Sequence, residues 1–304
     1  MRGQAIGTLF KDAVDEWLHD NVQRLGAALA YYTIFSLAPL LIIAIAISSV
    51  LFGQEAAQGH IFNQIQSLIG EDGARAIQTM VENARNRPHS GRLATVIGII
   101  MLIVGATGLF AQLQESLNTI WGVVTKPGRG LLGVIRDRFL SFMLVLGSGF
   151  LLLVSLLLSA GLAAMGKFFQ HLLPVPAGVL ETVNLLVSFC VIAVLFAMIF
   201  KLLPDVKIAW SDVWIGAGMT SLLFSLGKSL IGIYLGQTGI ASAYGAAGSL
   251  VIILIWVYYS AQIFLFGAEL TYVYANRYGT RIVPSENAMC VNKPASESSR
   301  PQSA

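Results

Sequence analysis

From Leu25 to Phe52 the chain reads LGAALAYYTIFSLAPLLIIAIAISSVLF, without one Asp, Glu, Lys, Arg or His. Crossing the hydrocarbon core of a bilayer takes about 20 apolar residues at the helical rise, and this stretch exceeds that length. Lipid offers no hydrogen bonds, so a spanning segment must satisfy its backbone internally, as a helix or within a closed barrel. The first half carries Tyr31, Tyr32, Thr33 and Ser36, and Pro39 interrupts the middle. A proline in a helix interior frees the carbonyl four residues earlier, here that of Phe35, so the expectation is a first span broken near its centre, polar before the break and lipid-soluble after it.

The rest of the chain repeats the theme. Of 304 residues 56% are hydrophobic and 12% charged, with a mean hydropathy of +0.72. Soluble domains carry charge on roughly a quarter of their residues, so water alone does not solvate this chain. The fold class expected is an all-α integral membrane protein with six transmembrane helices, at about 25–52, 93–111, 139–165, 179–203, 213–235 and 250–274. Residues 1–24 read as a cytoplasmic amphipathic helix, with Phe10, Ala13, Val14, Trp17 and Leu18 at helical spacing among acidic residues. It either lies on the membrane surface or packs under the bundle. It lacks the features of a cleaved signal peptide, so the first span is expected to direct insertion. Residues 53–92 read as an external pair of short amphipathic helices, turning at Gly70-Glu71-Asp72-Gly73. The second span is expected to continue as an amphipathic helix through Leu113, Leu117, Ile120 and Trp121 until Lys126-Pro127-Gly128. The membrane domain closes at about 278, and 279–304, rich in Ser, Pro and Asn, reads as a disordered cytoplasmic tail.

The net charge of +3 is spread along the loops, which gives no clustered basic face and no case for nucleic acid. Its use lies in orientation. With six spans, thirteen Lys and Arg fall on the side of the termini and five on the other, with Lys228 inside a span. The positive-inside rule then places both termini in the cytoplasm, although Arg85, Arg87 and Arg92 crowd the outer start of the second span.

No motif for chemistry stands out. Cys190 lies in an apolar run and Cys290 in a polar tail, at depths that exclude a structural disulfide. His19, His60, His89 and His171 are isolated from one another, no GxxxxGK[ST] run occurs, and no ligand spacing suggests a metal or a cofactor. The expectation is a chain with no catalytic residues and no enzyme activity, in which any transport is passive or driven by an ion gradient.

Three segments carry a resemblance. AALAYYTIFSLAPLLI in the first span, GATGLFAQLQESLNTIW leaving the second and YGAAGSLVIILIWVYYSAQIFLFGAEL through the sixth occur in that order. Over about Val14 to Tyr274 the chain resembles the YihY/BrkB family of bacterial inner-membrane proteins. That resemblance implies six spans with cytoplasmic termini. Members were once labelled ribonuclease BN, but a nuclease needs a histidine pair, a metal cluster or a lysine and carboxylate constellation beside a basic groove, and the residues here supply none.

Ionisable and polar residues inside spans are the default candidates for function. Tyr31, Tyr32, Ser36 and Pro39 in the first span, Gln112, Glu115 and Asn118 after the second, Lys228 in the fifth, and Gln262 and Glu269 in the sixth are the candidate cavity or gate residues. Arg24 is expected level with Glu115 and Glu269 as their charge partner, and Glu181 near Lys228. The plain alternatives are neutralising ion pairs, interhelical contacts and a lysine that snorkels to the interface. The leading reading is a transporter or exporter of a small solute or lipid through a central polar cavity. A non-transporting scaffold or envelope assembly factor comes second, and a membrane-embedded hydrolase or ribonuclease last. Expected partners are membrane lipids, an unidentified small cargo and a second copy held through Gly-rich helix faces. Glycines in the spans, Gly216 and Gly218 among them, read first as packing residues.

Overall fold

The computed structural model describes residues 3–85, 108–126, 177–237, 248–286 and 288–291. They form helices α1 (Gly3–His19), α2 (Val22–Phe52) and α3 (Gln54–Arg85), then a helix α4 over 108–120. Strand β1 (Val123–Thr125), helix α5 (Ala177–Leu202) and strand β2 (Val206–Lys207) follow, then α6 (Trp210–Gln237) and α7 (Gly248–Arg277). Strands β3 (Val283–Pro284) and β4 (Ala288–Cys290) complete the set. Among the described residues two stretches are long and apolar enough to cross a membrane, Leu185–Leu202 within α5 and Leu250–Arg277 within α7. The expected third span and most of the second lie outside the described residues.

Helix α7 is the hub, packed by α1, α2, α3 and α6. Residues Gly267 to Thr271 are buried on every side, which is how an apolar helix sits at the centre of a bundle. Its tightest contact is with α6. A Cβ on Gly216 would stand 1.9 Å from Thr271 Oγ1, and one on Gly267 would stand 2.0 Å from Thr220 Oγ1. Each threonine seats in the other helix's glycine notch. Its own hydroxyl is spent locally, Thr220 Oγ1 donating to the Gly216 carbonyl and Thr271 Oγ1 to the Gly267 carbonyl, both at 2.7 Å. Small residues four apart that let two backbones approach are the contact expected in lipid, where no hydrophobic drive pulls helices together. Gly218, by contrast, has no atom within 4 Å of its would-be Cβ.

Around this contact lie three apolar clusters. The largest gathers Trp121, Phe200, Phe264 and Leu117, with Phe200 and Phe264 ring centres 5.1 Å apart. The second, Ile45, Ile77, Val81 and Ile253, joins α3 to α2 and α7. The third, Leu9, Ala13, Leu270 and Val273, seats α1 on α7.

Four expectations change. Helix α2 continues unbroken through position 39, because a proline removes one backbone bond and the turns on either side keep theirs. The helical pair expected over 53–92 is one helix to Arg85; Gly70 to Gly73 does not turn, and Arg75 pairs with Glu71 across one helical turn. Helix α4 stops earlier than Lys126, at a turn where Gly122 takes φ +64°, and β1 follows directly. Finally, 279–286 and 288–291 are not disordered: β3 pairs antiparallel with β2, Val206 opposite Pro284, and β4 with β1, Val123 opposite Cys290. Unpaired backbone in this polar segment finds partners left at the ends of α4 and α5, which composition does not reveal. Residues 292–304 lie outside the described set. The N-terminal helix packs under the bundle through Leu9 and Ala13, one of the two placements expected for it.

The glycine notch yields a paired test. Gly216→Ala is expected to force α6 and α7 apart and destabilise the detergent-solubilised protein by about 1–3 kcal/mol. Gly218→Ala, two positions away in open space, is expected to change stability by no more than about 0.5 kcal/mol. Thermal unfolding of the two variants side by side checks it; equal losses would mean the notch does not set the helix approach.

Candidate functional site

Polar side chains concentrate at the end of the bundle that carries the two strand pairs, the ribbon end. Asp205, in the turn after α5, is its centre. Its backbone N–H donates to Asn118 Oδ1 at 2.9 Å, and its Oδ2 accepts from Asn118 Nδ2 at 3.2 Å and from Thr125 Oγ1 at 3.1 Å. Its carbonyl accepts from the Ser285 N–H at 2.9 Å. One residue thus ties together α4, β1, the turn after α5 and the segment after α7. Lys126 Nζ donates to the Glu286 carbonyl at 2.8 Å, and Lys207 pairs with the Glu286 carboxylate at 3.6 Å. A second aspartate, Asp212 in the first turn of α6, is buried and accepts from Thr280 N and Thr280 Oγ1, both at 2.9 Å. A carboxylate there also meets the positive end of the α6 dipole. Arg277 pairs with Asp12, which fastens α1 to the last turn of α7.

Deeper in, Glu269 has no exposed surface. Helical spacing sets it between Leu265 of the largest cluster and Val273 of the cluster under α1, at the junction of the two. Trp121 Nε1 donates to the neighbouring Ala268 carbonyl at 3.4 Å, so α4 closes over the same turn. A carboxylate held away from solvent is costly in its charged form, which makes this the most constrained ionisable residue of α7.

The structure brings some of the expected residues together and separates others. Asn118 is in the Asp205 clasp, bonded to both the backbone N–H and the carboxylate of that aspartate. Gln262 lies against Gly26, so close that a Cβ there would be 2.1 Å from Gln262 Nε2, and it donates to the Gln23 carbonyl at 3.3 Å. Its Oε1 is buried without a hydrogen-bond partner. Gln112 is half-buried, and its carbonyl accepts from Ser116 Oγ. Ser36 is buried, whereas Tyr31, Tyr32 and Phe35 form an exposed aromatic group, with Tyr31 and Phe35 ring centres 4.8 Å apart. The first-span candidates therefore face different ways, and the Pro39 side chain lies outside the described residues. The expected cluster of Arg24 with Glu115 and Glu269 does not form: Arg24 and Glu115 are exposed, Glu269 is enclosed, and no ion pair joins them. Val22, Leu25 and Leu29 take the buried side of α2 and turn Arg24 outward. Lys228 is exposed; the Glu181 side chain lies outside the described residues.

Sequence reasoning missed Asp205, Asp212, Thr280, Gly267 and the two threonines. An aspartate beside a helix start was the available signal for Asp212. Nothing local marked Asp205, whose partners lie 80 and 87 residues away.

Removing the Asp205 carboxylate leaves the Asn118 amide and the Thr125 hydroxyl without their acceptor. Asp205→Ala is expected to cost about 1–3 kcal/mol and to loosen 279–291, so that trypsin cuts after Arg281 faster than in the parent protein. An unchanged cleavage rate would show that the clasp does not hold that segment.

A family described as virulence factor BrkB matches residues 13–289. The match reaches past Tyr274 and takes in β1, β2, β3 and all but the last residue of β4. The chain is 29% identical over 259 residues to a UPF0761 membrane protein of Chromohalobacter salexigens, covering 83% of this chain and 59% of that one. It is 30% identical over 261 residues to a UPF0761 membrane protein of Tolumonas auensis, covering 83% and 80%. A UPF0761 membrane protein of Verminephrobacter eiseniae is 29% identical, with 83% and 58% covered. The chain thus spans less than two thirds of the length of several relatives. No solved structure matches it. With its apolar helices α5 and α7, and with relatives named as membrane proteins throughout, the chain is a membrane protein that belongs to the virulence factor BrkB family.

Proposed function

We propose that this is a multi-pass protein of the bacterial inner membrane, with six spans and both termini in the cytoplasm, that moves a small solute or a lipid along a polar path between its helices. Lys228 carries the reading. Helical spacing puts it on the side of α6 that holds Ser221 and Phe224, and Phe224 meets Phe196 of α5 at 5.6 Å between ring centres. That side is turned away from the exposed Leu222, Leu226 and Leu230, yet Lys228 is itself exposed. An ammonium in the outer half of a span is expensive against hydrocarbon, so an accessible one turned toward a neighbouring helix argues for a watery recess. The enclosed Glu269, toward the ribbon end of α7, supplies a second ionisable group along the same bundle. With no nucleotide-binding run in the sequence, the path is gradient-driven or passive, and the reading includes no catalytic step.

A scaffold role is the second reading, favoured by α3. This helix packs its apolar side on α2 and α7 and leaves Glu55, Gln78 and Glu82 exposed, a polar face suited to a partner.

Two experiments test the proposal. With Cys190 and Cys290 replaced, Lys228→Cys is expected to react with a small water-soluble thiol reagent added from outside. Failure to label would return Lys228 to a snorkelling role at a lipid-facing position. For the topology, a reporter active only outside is expected to be active after Glu82 or Leu173 and silent after Arg129, Lys207 or Arg281. Activity after Arg129 would break the six-span arrangement.

A further inference from the structure

The residues after α7 fold back over the turn that encloses Glu269. Ala288 is buried in the largest apolar cluster and Ile282 packs against it, together with Leu265 and Ala268 from the turns around Glu269. Trp121 donates to the Ala268 carbonyl, and β1, which begins two residues after that tryptophan, is paired with β4. On the next turn of α7 the Tyr272 hydroxyl is within electrostatic reach of both Glu269 and Cys290, and of Glu16 and Asp20 at the end of α1. The enclosed carboxyl and the last strand therefore meet around one tyrosine, at the end of the bundle where polar side chains concentrate.

Two covers lie over this region, and they are held differently. Helix α1 sits on α7 through the buried Leu9 and Ala13, with Phe10 against Phe266, and Asp12 fastens it to Arg277. The segment after α7 has, among the described residues, one buried apolar anchor, Ala288. Its other ties are polar. Thr280 donates to Asp212, Ser285 to the Asp205 carbonyl and Val291 to the Gly122 carbonyl, while Glu286 accepts from Lys126 and pairs with Lys207. Water replaces such bonds at nearly equal strength once a segment lifts, whereas the burial of apolar surface is lost outright. The segment after α7 is thus the cover that comes away at the lower cost, and lids are drawn from the parts of a fold with low local stability.

We propose that residues 279–286 and 288–291 form a lid over Glu269, closed in this structure, whose release opens the inner end of the polar path to cytoplasmic water. Lys228, exposed toward the other end of the bundle, belongs to the end that is open while the lid is shut. The two ionisable groups of the path then meet water from opposite sides and at different times. The lid as an inner gate rests on the path proposed above.

The native cysteine of β4 offers a reversible lock. Because the Val291 N–H donates to the Gly122 carbonyl, the next pair, Val123 and Cys290, is of the non-hydrogen-bonded kind, whose Cα atoms stand about 4.5 Å apart, within disulfide range. In the full chain, detergent-solubilised and carrying Cys190→Ser and Val123→Cys, mild oxidation is expected to join position 123 to the exposed Cys290. A water-soluble carbodiimide with glycinamide then couples to carboxyls that meet water, and mass spectrometry of the peptides locates the product, with the exposed Glu115 as reference. Coupling at Glu269 is expected to be severalfold slower in the oxidised chain than in the reduced one, with Glu115 unchanged. Asp205→Ala in the unlocked chain is expected to speed coupling at Glu269 severalfold; if Val123→Cys does not fold, an unchanged rate in this variant overturns the lid by itself. Equal coupling in the two redox forms, or none at Glu269 in either, would also overturn it, as would a folded Val123→Cys chain that forms no disulfide. The path is judged separately. If Lys228→Cys is unreactive from outside while the lock still protects Glu269, the path falls and the lid stands; if Lys228→Cys reacts and Glu269 is indifferent to the lock, the lid falls and the path stands.

Discussion

The interlock of Gly216 and Thr220 with Gly267 and Thr271 is the contact on which the rest of the bundle depends. Each glycine removes a Cβ where a threonine of the facing helix must sit, and each threonine returns its proton to a carbonyl of its own helix. Both hydroxyls are therefore satisfied without a partner across the interface, and the methyl and oxygen faces are free to fill the notch. In a medium as apolar as the side chains themselves, such fit is what holds helices together. Because α7 also receives α1, α2 and α3, any displacement at this notch would be carried into all three apolar clusters.

The ribbon end solves a different problem. The last carbonyls of α4 and α5, and the polar segment after α7, bring backbone groups together that no helix satisfies. Two short antiparallel pairs take up some of them, and Asp205 and Asp212 take up others through side-chain oxygens and, for Asp205, its own backbone. The same arrangement brings residues after α7 to the ends of α4, α5 and α6, and the family match likewise runs past the last helix, to residue 289.

Between these regions the ionisable groups are unequally placed. Glu269 is enclosed where the core under α1 meets the main one, while Lys228 is exposed on the side of α6 turned from Leu222, Leu226 and Leu230. Arg24 and Glu115, level with Glu269 in the sequence-based topology, instead lie exposed and unconnected to it.

Much of this was legible in the residues alone. The uncharged run from Leu25 to Phe52 and the scarcity of charge dictate a helical membrane protein, because only internally bonded helices or closed barrels suit lipid and the pattern here is helical. Three ordered motifs identified the family, and the positions of α2, α5, α6 and α7 follow the apolar runs to within a few residues. What stayed hidden depends on contacts between distant parts of the chain. Pro39 reads as a break until the rest of α2 is seen to hold the helix, and Gly70 to Gly73 reads as a turn until α3 is packed on its neighbours. Gly216 and Gly218 are equivalent in sequence, and only the position of Thr271 makes one indispensable. Asp205 meets Asn118 and Thr125 across 80 residues or more. Local sequence decides what each segment must do with its own backbone in lipid; which side chains meet, and so which polar groups are enclosed, is decided when helices far apart in the chain are brought side by side.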